Sequence, residues 1–290
     1  MKANKFWGIP TAMVGIALLT ASCQTDFNQP TVTSSTPVTT KSVESTIAND
    51  VQASSINQEV VTSTAEYMPD FNSESFNTNG AQKVKRYNTV VVTLEEPDHE
   101  SFPKIVTIDF GTNGYVGKRM NVLRGKIIVT ISSRHTKTYT FDNFSINENQ
   151  IRGSKFESFN GTDTWTYSDK DTIVLANGRT FIRNTNRTHK LLDFNNTPFV
   201  YNDDTYAITG DIIGVNPDGK QYTMVADDSN PVISYTGYNY FIKGKITMSC
   251  EGKTAVVDFG DGTHDSLATI TMDGETKEIN LAETSEVPHP

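Results

Sequence analysis

The chain has 290 residues, a formal net charge of −9 and 36% apolar residues. Those values admit one domain of about 200 residues, or two smaller ones, behind an N-terminal leader. The 25 basic residues are dispersed and form no stripe interleaved with aromatics, which argues against a nucleic-acid partner.

Residues 1–22 have the layout of a cleaved export signal. Lys2 and Lys5 form a positive start, an apolar run extends from Phe6 to Leu19, and Thr20, Ala21 and Ser22 close it before Cys23. The run is too short, and Pro10 too early in it, for a spanning helix of about 20 apolar residues. The ending Leu19-Thr-Ala-Ser-Cys23 resembles the lipobox of bacterial lipoproteins, with Thr20 where that pattern most often has Leu. The resemblance implies a lipid on Cys23, attachment to a membrane through acyl chains at about 0.8 kcal/mol per buried CH₂, and a cell-envelope address, the outer membrane first.

Residues 24–40 are rich in Ser, Thr and Pro and read as a polar tether. Within the tether and linker region 23–85, Val43, Ile47, Val51, Ile56 and Val60 recur at near-helical spacing, so a helix is expected at 41–66, with Ser42 as its cap and Glu44 and Glu59 on its outside. Pro69 and Asn79-Gly80 mark a second linker.

From 86 to 282 short alternating runs alternate with turn signals. Val90–Leu94, Lys104–Phe110, Lys126–Ile131 and Thr138–Phe141 read as strands. Asn147-Glu148-Asn149, Asn177-Gly178, Asp218-Gly219 and Asp273-Gly274 read as hairpin turns, the Asn-Gly and Asp-Gly pairs favouring positive φ at both turn positions. The expected fold is mainly β: an antiparallel, sandwich-like domain after a flexible leader, in one piece or in two halves at about 86–200 and 201–282, with a disordered tail at 283–290. Two fragments recur in reversed order. Arg124-Gly-Lys-Ile-Ile-Val-Thr130 matches Lys243-Gly-Lys-Ile-Thr-Met248, and Thr107-Ile-Asp-Phe-Gly111 matches Val256-Val-Asp-Phe-Gly260. Either strand-and-turn chemistry converged, or two related strand pairs hold comparable places in a sheet.

Ile105–Gly111, Arg124–Thr130, Thr140–Phe144 and Phe259–Gly274 together resemble a set of uncharacterised lipoproteins of Bacteroidota. The resemblance covers roughly 87–281 and implies an envelope location and a β fold, without an activity. It also implies cysteines near the first Asp-Phe-Gly segment and in the last Gly-Asp-Gly-Thr segment. This chain has His264 at the latter place, and Cys250 is its one cysteine besides Cys23. Cys250 shares a strand face with Ile242, Ile246 and Met248 and reads as a buried small hydrophobe.

Two aromatic sets are candidate glycan contacts: Trp165 with Tyr167, and Tyr235, Tyr238 and Tyr240 beside Phe241. Cross-strand packing is the commoner use of such residues. Asp258, Asp261 and Asp265 offer three carboxylates that a Ca²⁺ ion could use, without EF-hand spacing; turn geometry explains them as well. Asp258–Thr263 also looks like the motif of polycystic-kidney-disease-type β-sandwich modules. Asp171-Thr172-Ile173 and Asp265-Ser266-Leu267 resemble a short O-glycosylation sequon. No nucleophile elbow, zinc-protease motif or P-loop is present, the five histidines stand singly, and no cofactor is called for. The first expectation is a non-catalytic envelope protein with an interaction or structural role; the alternatives are a glycan-binding surface lipoprotein and a hydrolase with an unrecognised carboxylate pair.

Overall fold

A computed structural model describes residues 40–68, 77–79, 82–96, 100–117, 120–193, 203–236 and 238–284. The export signal, Cys23, the Ser/Thr/Pro segment 24–39 and the end of the tail lie outside the described residues.

The helix α1 (Thr40–Tyr67) spans 28 residues. Its Ser, Thr, Val and Asn content gives weak intrinsic propensity, so burial is what sustains it. Val43, Ile47, Val51, Ile56 and Val60 are all buried. So are Thr46, Asn49, Asp50, Asn57 and Thr64, which lie on other sides of the same helix. The expected helix is therefore present, but as the centre of the core. Glu44 and Glu59 correct the outward reading: both are buried. Glu44 is held by Lys277 at 2.8 Å, and Glu59 accepts from the Ser63 hydroxyl at 3.0 Å.

Among the described residues after α1, the regular elements are strands until a last helical turn. β1 (Asn77–Asn79), β2 (Gln82–Tyr87), β3 (Val90–Glu95), β4 (Lys104–Asp109) and the short β5 (Tyr115–Val116) come first. Five long strands follow: β6 (Val122–Ser133), β7 (Thr136–Ile146), β8 (Asn149–Phe159), β9 (Thr164–Val174) and β10 (Thr180–Asp193). Then come β11 (Thr205–Val215), β12 (Gln221–Ala226), β13 (Val232–Tyr235), β14 (Phe241–Cys250), β15 (Lys253–Asp261), β16 (Leu267–Met272) and β17 (Glu275–Asn280). A helical turn, α2 (Leu281–Thr284), takes the first two residues of the expected tail and buries Leu281.

Among the described residues all pairings are antiparallel, and the sheet is continuous. It runs β2–β3–β4–β6 and then strand by strand to β11. β12 and β13 lie end to end, both bridging β11 and β14, and β14–β17 complete a meander. The β10–β11 ladder, with one bulge between Leu191 and Asp193, joins the two suggested halves. Strands far apart in this order all reach α1. Tyr67 packs edge-on against Tyr87, Phe110 and Tyr115, Asp50 bonds Arg183 and Tyr222, and Lys277 reaches Glu44. Only a sheet curled around the helix allows this, so α1 occupies the place where a sandwich has its second sheet.

The inner face is apolar over most of its width: Val90, Val92 and Leu94 on β3, Ile127, Val129 and Ile131 on β6, Val257 and Phe259 on β15. Cys250 joins this core as a free, buried thiol.

The recurring fragments are two equivalent strand pairs. Ile108 faces Ile127 and Asp109 faces Lys126 in one; Val257 faces Ile246 and Asp258 faces Lys245 in the other. The lysine–aspartate pair recurs, at 3.6 Å and 3.0 Å. Each aspartate accepts from the amide of the glycine two residues on, at 2.9 Å and 3.0 Å. Gly125 and Gly244 mark a bulge in each, with φ of 77° and 96°, where a Cβ would stand 2.2 Å and 2.1 Å from a neighbouring carbonyl oxygen. Shared bulge, ion pair and capped turn favour related strand pairs over chance convergence.

The hairpin turns fall where the dipeptides place them, with one correction. Asp273-Gly274 has positive φ at both positions, as expected. At Asn177-Gly178 and Asp218-Gly219 only the glycine does. Asn177 Oδ1 instead accepts the Arg179 amide, and Asn216 Oδ1 accepts the Asp218 and Lys220 amides, which stabilises a longer loop ending in a left-handed glycine.

Candidate functional site

The inner face changes character on β8, β9 and β10. At the turn end it is apolar, with Ile151, Ile173 and Phe181 buried. Further along, alternate residues carry charge: Lys155 and Glu157 on β8, Asp171 and Asp169 on β9, Arg183 and Arg187 on β10. All six are buried. Beyond them Phe159, Trp165 and His189 stand side by side as cross-strand partners.

Burying so many charges is tolerable only with partners. Lys155 Nζ donates to Asp169 Oδ2 at 2.7 Å, and Tyr139 donates to Glu157 at 2.7 Å. The helix supplies the rest. Asp50, Ser54, Asn57 and Gln58 recur at helical spacing and present a polar stripe to these strands. Arg183 Nε donates to Asp50 Oδ1 at 2.9 Å, and the Tyr222 hydroxyl donates to the same oxygen at 2.9 Å. Gly214, opposite Arg183 on β11, leaves room for the Tyr222 ring, since a Cβ there would lie 2.5 Å from it. Asn57 donates to Asp171 Oδ2. Both guanidinium groups donate to the Ser54 hydroxyl, Arg183 at 2.9 Å and Arg187 at 3.3 Å.

Between α1 and these strands lies a cleft of ≈ 40 Å³, walled by Ser54, Lys155, Asp169, Arg183, Thr185 and Arg187, with Tyr167 and His189 on its aromatic side. Room of that size takes roughly three water-sized groups. Several buried atoms of its walls have no hydrogen-bond partner among the described residues: Asp169 Oδ1, Arg183 Nη1, Thr185 Oγ1 and Arg187 Nε.

Protonation follows from burial. Burial, and next the neighbouring Asp169, push the Asp171 carboxyl up to about 6. Burial works against the Arg183 charge, but Asp50 and Tyr222 outweigh it and the net displacement is upward. Burial brings Arg187 down to about 10, against the upward pull of the Asp50 carboxylate. His189 is held well below its ordinary value by burial and by the charges on Lys155 and Arg187, so it is a neutral ring at pH 7.

The aromatic candidates divide. Trp165 is half-buried; one face stacks on Phe159 at 4.4 Å and its edge meets Tyr206 at 5.8 Å. Tyr167 lines the cleft, between His189 at 4.6 Å and the Lys155 ammonium at 4.3 Å from the ring centre. Trp165 and Tyr167 thus border one site. Tyr235, Tyr238 and Tyr240 form a separate cluster in which the exposed His264 packs on Tyr235 and Tyr238, at 4.9 Å and 5.5 Å. Tyr240 is itself buried.

Asp258, Asp261 and Asp265 are each turned into their own loop, accepting from the amides of Gly260, Thr263 and Leu267. They do not form a ligand set. Among the described residues no three His, Cys, Asp or Glu side chains are grouped to hold a metal ion. Of the sequon residues, Thr172 lies within the β8–β9–β10 ladders with Asp171 buried behind it, and Ser266 donates to Asn280 at 2.8 Å.

Sequence reasoning missed Asp50, Ser54, Asn57, Lys155, Asp169, Arg183, Thr185, Arg187 and His189. One signal was available. The run Arg183-Asn-Thr-Asn-Arg-Thr-His189 has no apolar residue on either face, yet it lies in a strand between two others. A central strand without an apolar face implies a polar interior beside it. The chain matches no family model, no curated protein and no solved structure.

Proposed function

We propose that the chain is a lipid-anchored protein of the cell envelope, most simply the outer membrane, whose β domain binds a ligand without transforming it. The observation carrying the binding role is the cleft beside β8–β10, where buried polar atoms lack partners and a half-buried aromatic row, Phe159, Trp165 and Tyr206, stands at the edge. A ring stacked on such a row beside hydrogen-bonding groups is the arrangement sugars use, so a surface glycan is the favoured class of ligand. A hydrolase needs two carboxylates converging on its substrate. The cleft wall carries one, Asp169, and it is committed to Lys155. That geometry favours binding over hydrolysis.

The anchor rests on Leu19–Cys23 and on the resemblance to Bacteroidota lipoproteins. Metabolic labelling with palmitate is the test of it. Wild-type protein is expected to incorporate label and sediment with membranes, and Cys23→Ala to do neither. Equal labelling of the two removes the anchor. A glycan array read with wild type and Trp165→Ala tests the binding role, with loss of signal in the variant as the expected result.

A further inference from the structure

The walls of the cleft carry three cations, Lys155, Arg183 and Arg187, and one carboxylate, Asp169. Lys155 is matched by Asp169 and Arg183 by Asp50, at 2.7 Å and 2.9 Å. Arg187 has no ion pair among the described residues. Its guanidinium meets the Ser54 hydroxyl at 3.3 Å and lies over the Phe241 ring at 5.6 Å. It is nevertheless only 5% exposed. A guanidinium that far from water, with one long hydrogen bond and an unpartnered Nε, lacks the anion such burial ordinarily requires.

Two further donors stand beside it. Arg183, Thr185 and Arg187 alternate on β10, so all three side chains share the inner face. Arg183 Nη1 and Thr185 Oγ1 are also unpartnered, in side chains 1% and 4% exposed, and all three residues wall the cleft. Two guanidinium groups flanking a hydroxyl make a fork for an oxyanion. Opposite them Asp169 Oδ1 has no donor. It would repel a second anionic oxygen and accept from a neutral hydroxyl. The volume fits a head group, and the aromatic row takes what is attached to it.

We infer that this cleft binds the oxyanion of a small hydroxylated acid, with Arg187, Thr185 and Arg183 on the anionic group and Asp169 on an adjacent hydroxyl. Resting on the binding role above, the inference narrows the ligand to acidic glycans or sugar phosphates, which share that chemistry.

Isothermal titration of the full-length, detergent-solubilised protein distinguishes them, with glucuronate, glucose 6-phosphate, inorganic phosphate and glucose as probes. At least one anionic probe is expected to bind, more weakly as salt is raised, and at least tenfold more weakly to Arg187→Gln. Thr185→Val, close in shape, is expected to weaken binding several-fold while the unfolding midpoint stays near wild type. Preference for glucuronate assigns a carboxylate ligand; preference for either phosphate assigns a phosphoryl one. No binding of any anion, or equal binding to wild type and Arg187→Gln, overturns the oxyanion site. Glucose binding as tightly as glucuronate, lost in Trp165→Ala and retained in Arg187→Gln, overturns it too, and leaves the glycan-binding role standing.

Discussion

Asp50→Ala is expected to lower the stability of the fold by about 3–5 kcal/mol, the usual cost of removing one partner from a buried ion pair. Asp50 Oδ1 accepts from both Arg183 Nε and the Tyr222 hydroxyl, and Asp50 and Arg183 are each 1% exposed at the side chain. Alanine leaves a guanidinium deep in the core with Ser54 as its remaining partner. The cost is that of the abandoned charge rather than the net worth of the pair. Hence Arg183→Met in the Asp50→Ala background is expected to recover most of the loss, since the stem of methionine fills much of the same space. Urea unfolding of the two single variants and the double variant reads the cycle. A loss under about 1 kcal/mol for Asp50→Ala, or additive losses in the double variant, would show that helix and sheet are not joined through this pair.

The second large effect is a dependence on pH. Asp171 has its carboxyl pushed up to about 6 in the fold, against an ordinary value of 3.8. A carboxyl raised by folding binds more protons folded than unfolded. Its contribution is therefore present in full below the unfolded value and is lost as pH rises from about 4 to about 6. Two pKa units correspond to about 3 kcal/mol. The groups facing it are Asp169, which raises it, and Arg183, Lys155 and Asn57, which lower it. His189 acts in the opposite sense, losing stability as pH falls below its ordinary 6.5, because the fold holds its ring neutral. Comparison with Asp171→Asn removes that shared background. Relative to the variant, wild type is expected to gain about 3 kcal/mol on going from pH 7 to pH 3. A difference that stays flat over that range contradicts the assignment.

The fold was legible where one face of a strand is apolar. Val106, Ile108 and Phe110 announce β4, Ile127, Val129 and Ile131 announce β6, and both sets are buried as their alternation requires. Turn dipeptides placed the hairpins because Gly178, Gly219 and Gly274 all adopt positive φ. The place of α1 was not legible. Its apolar spacing gave the helix, but nothing local indicates that Asp50, Asn57 and Glu59 are also inside. The burial of Asp50 and Asn57 depends on charges more than 100 residues further along, in the bonds from Asn57 to Asp171 and from Arg183 to Asp50. Hydrophobic periodicity marks one buried face and is silent about polar residues buried on the other sides of the same helix. The cleft was hidden for the same reason, because Ser54, Asn57 and Gln58 of its polar lining come from a segment that reads locally as part of a linker. Trp165 and Tyr167 were found since aromatic clustering is visible in one strand; their neighbours His189 and Tyr206 come from other strands.

The central claim is that α1 is the core around which the sheet curls. Native-state hydrogen exchange over residues 40–67 tests it most directly. Amides in the middle of α1 are expected to exchange as slowly as those of β10, through global unfolding alone. Exchange of those amides within seconds, while β10 remains protected, would make the helix a tether after all and would leave the buried charges of β8–β10 without their partners.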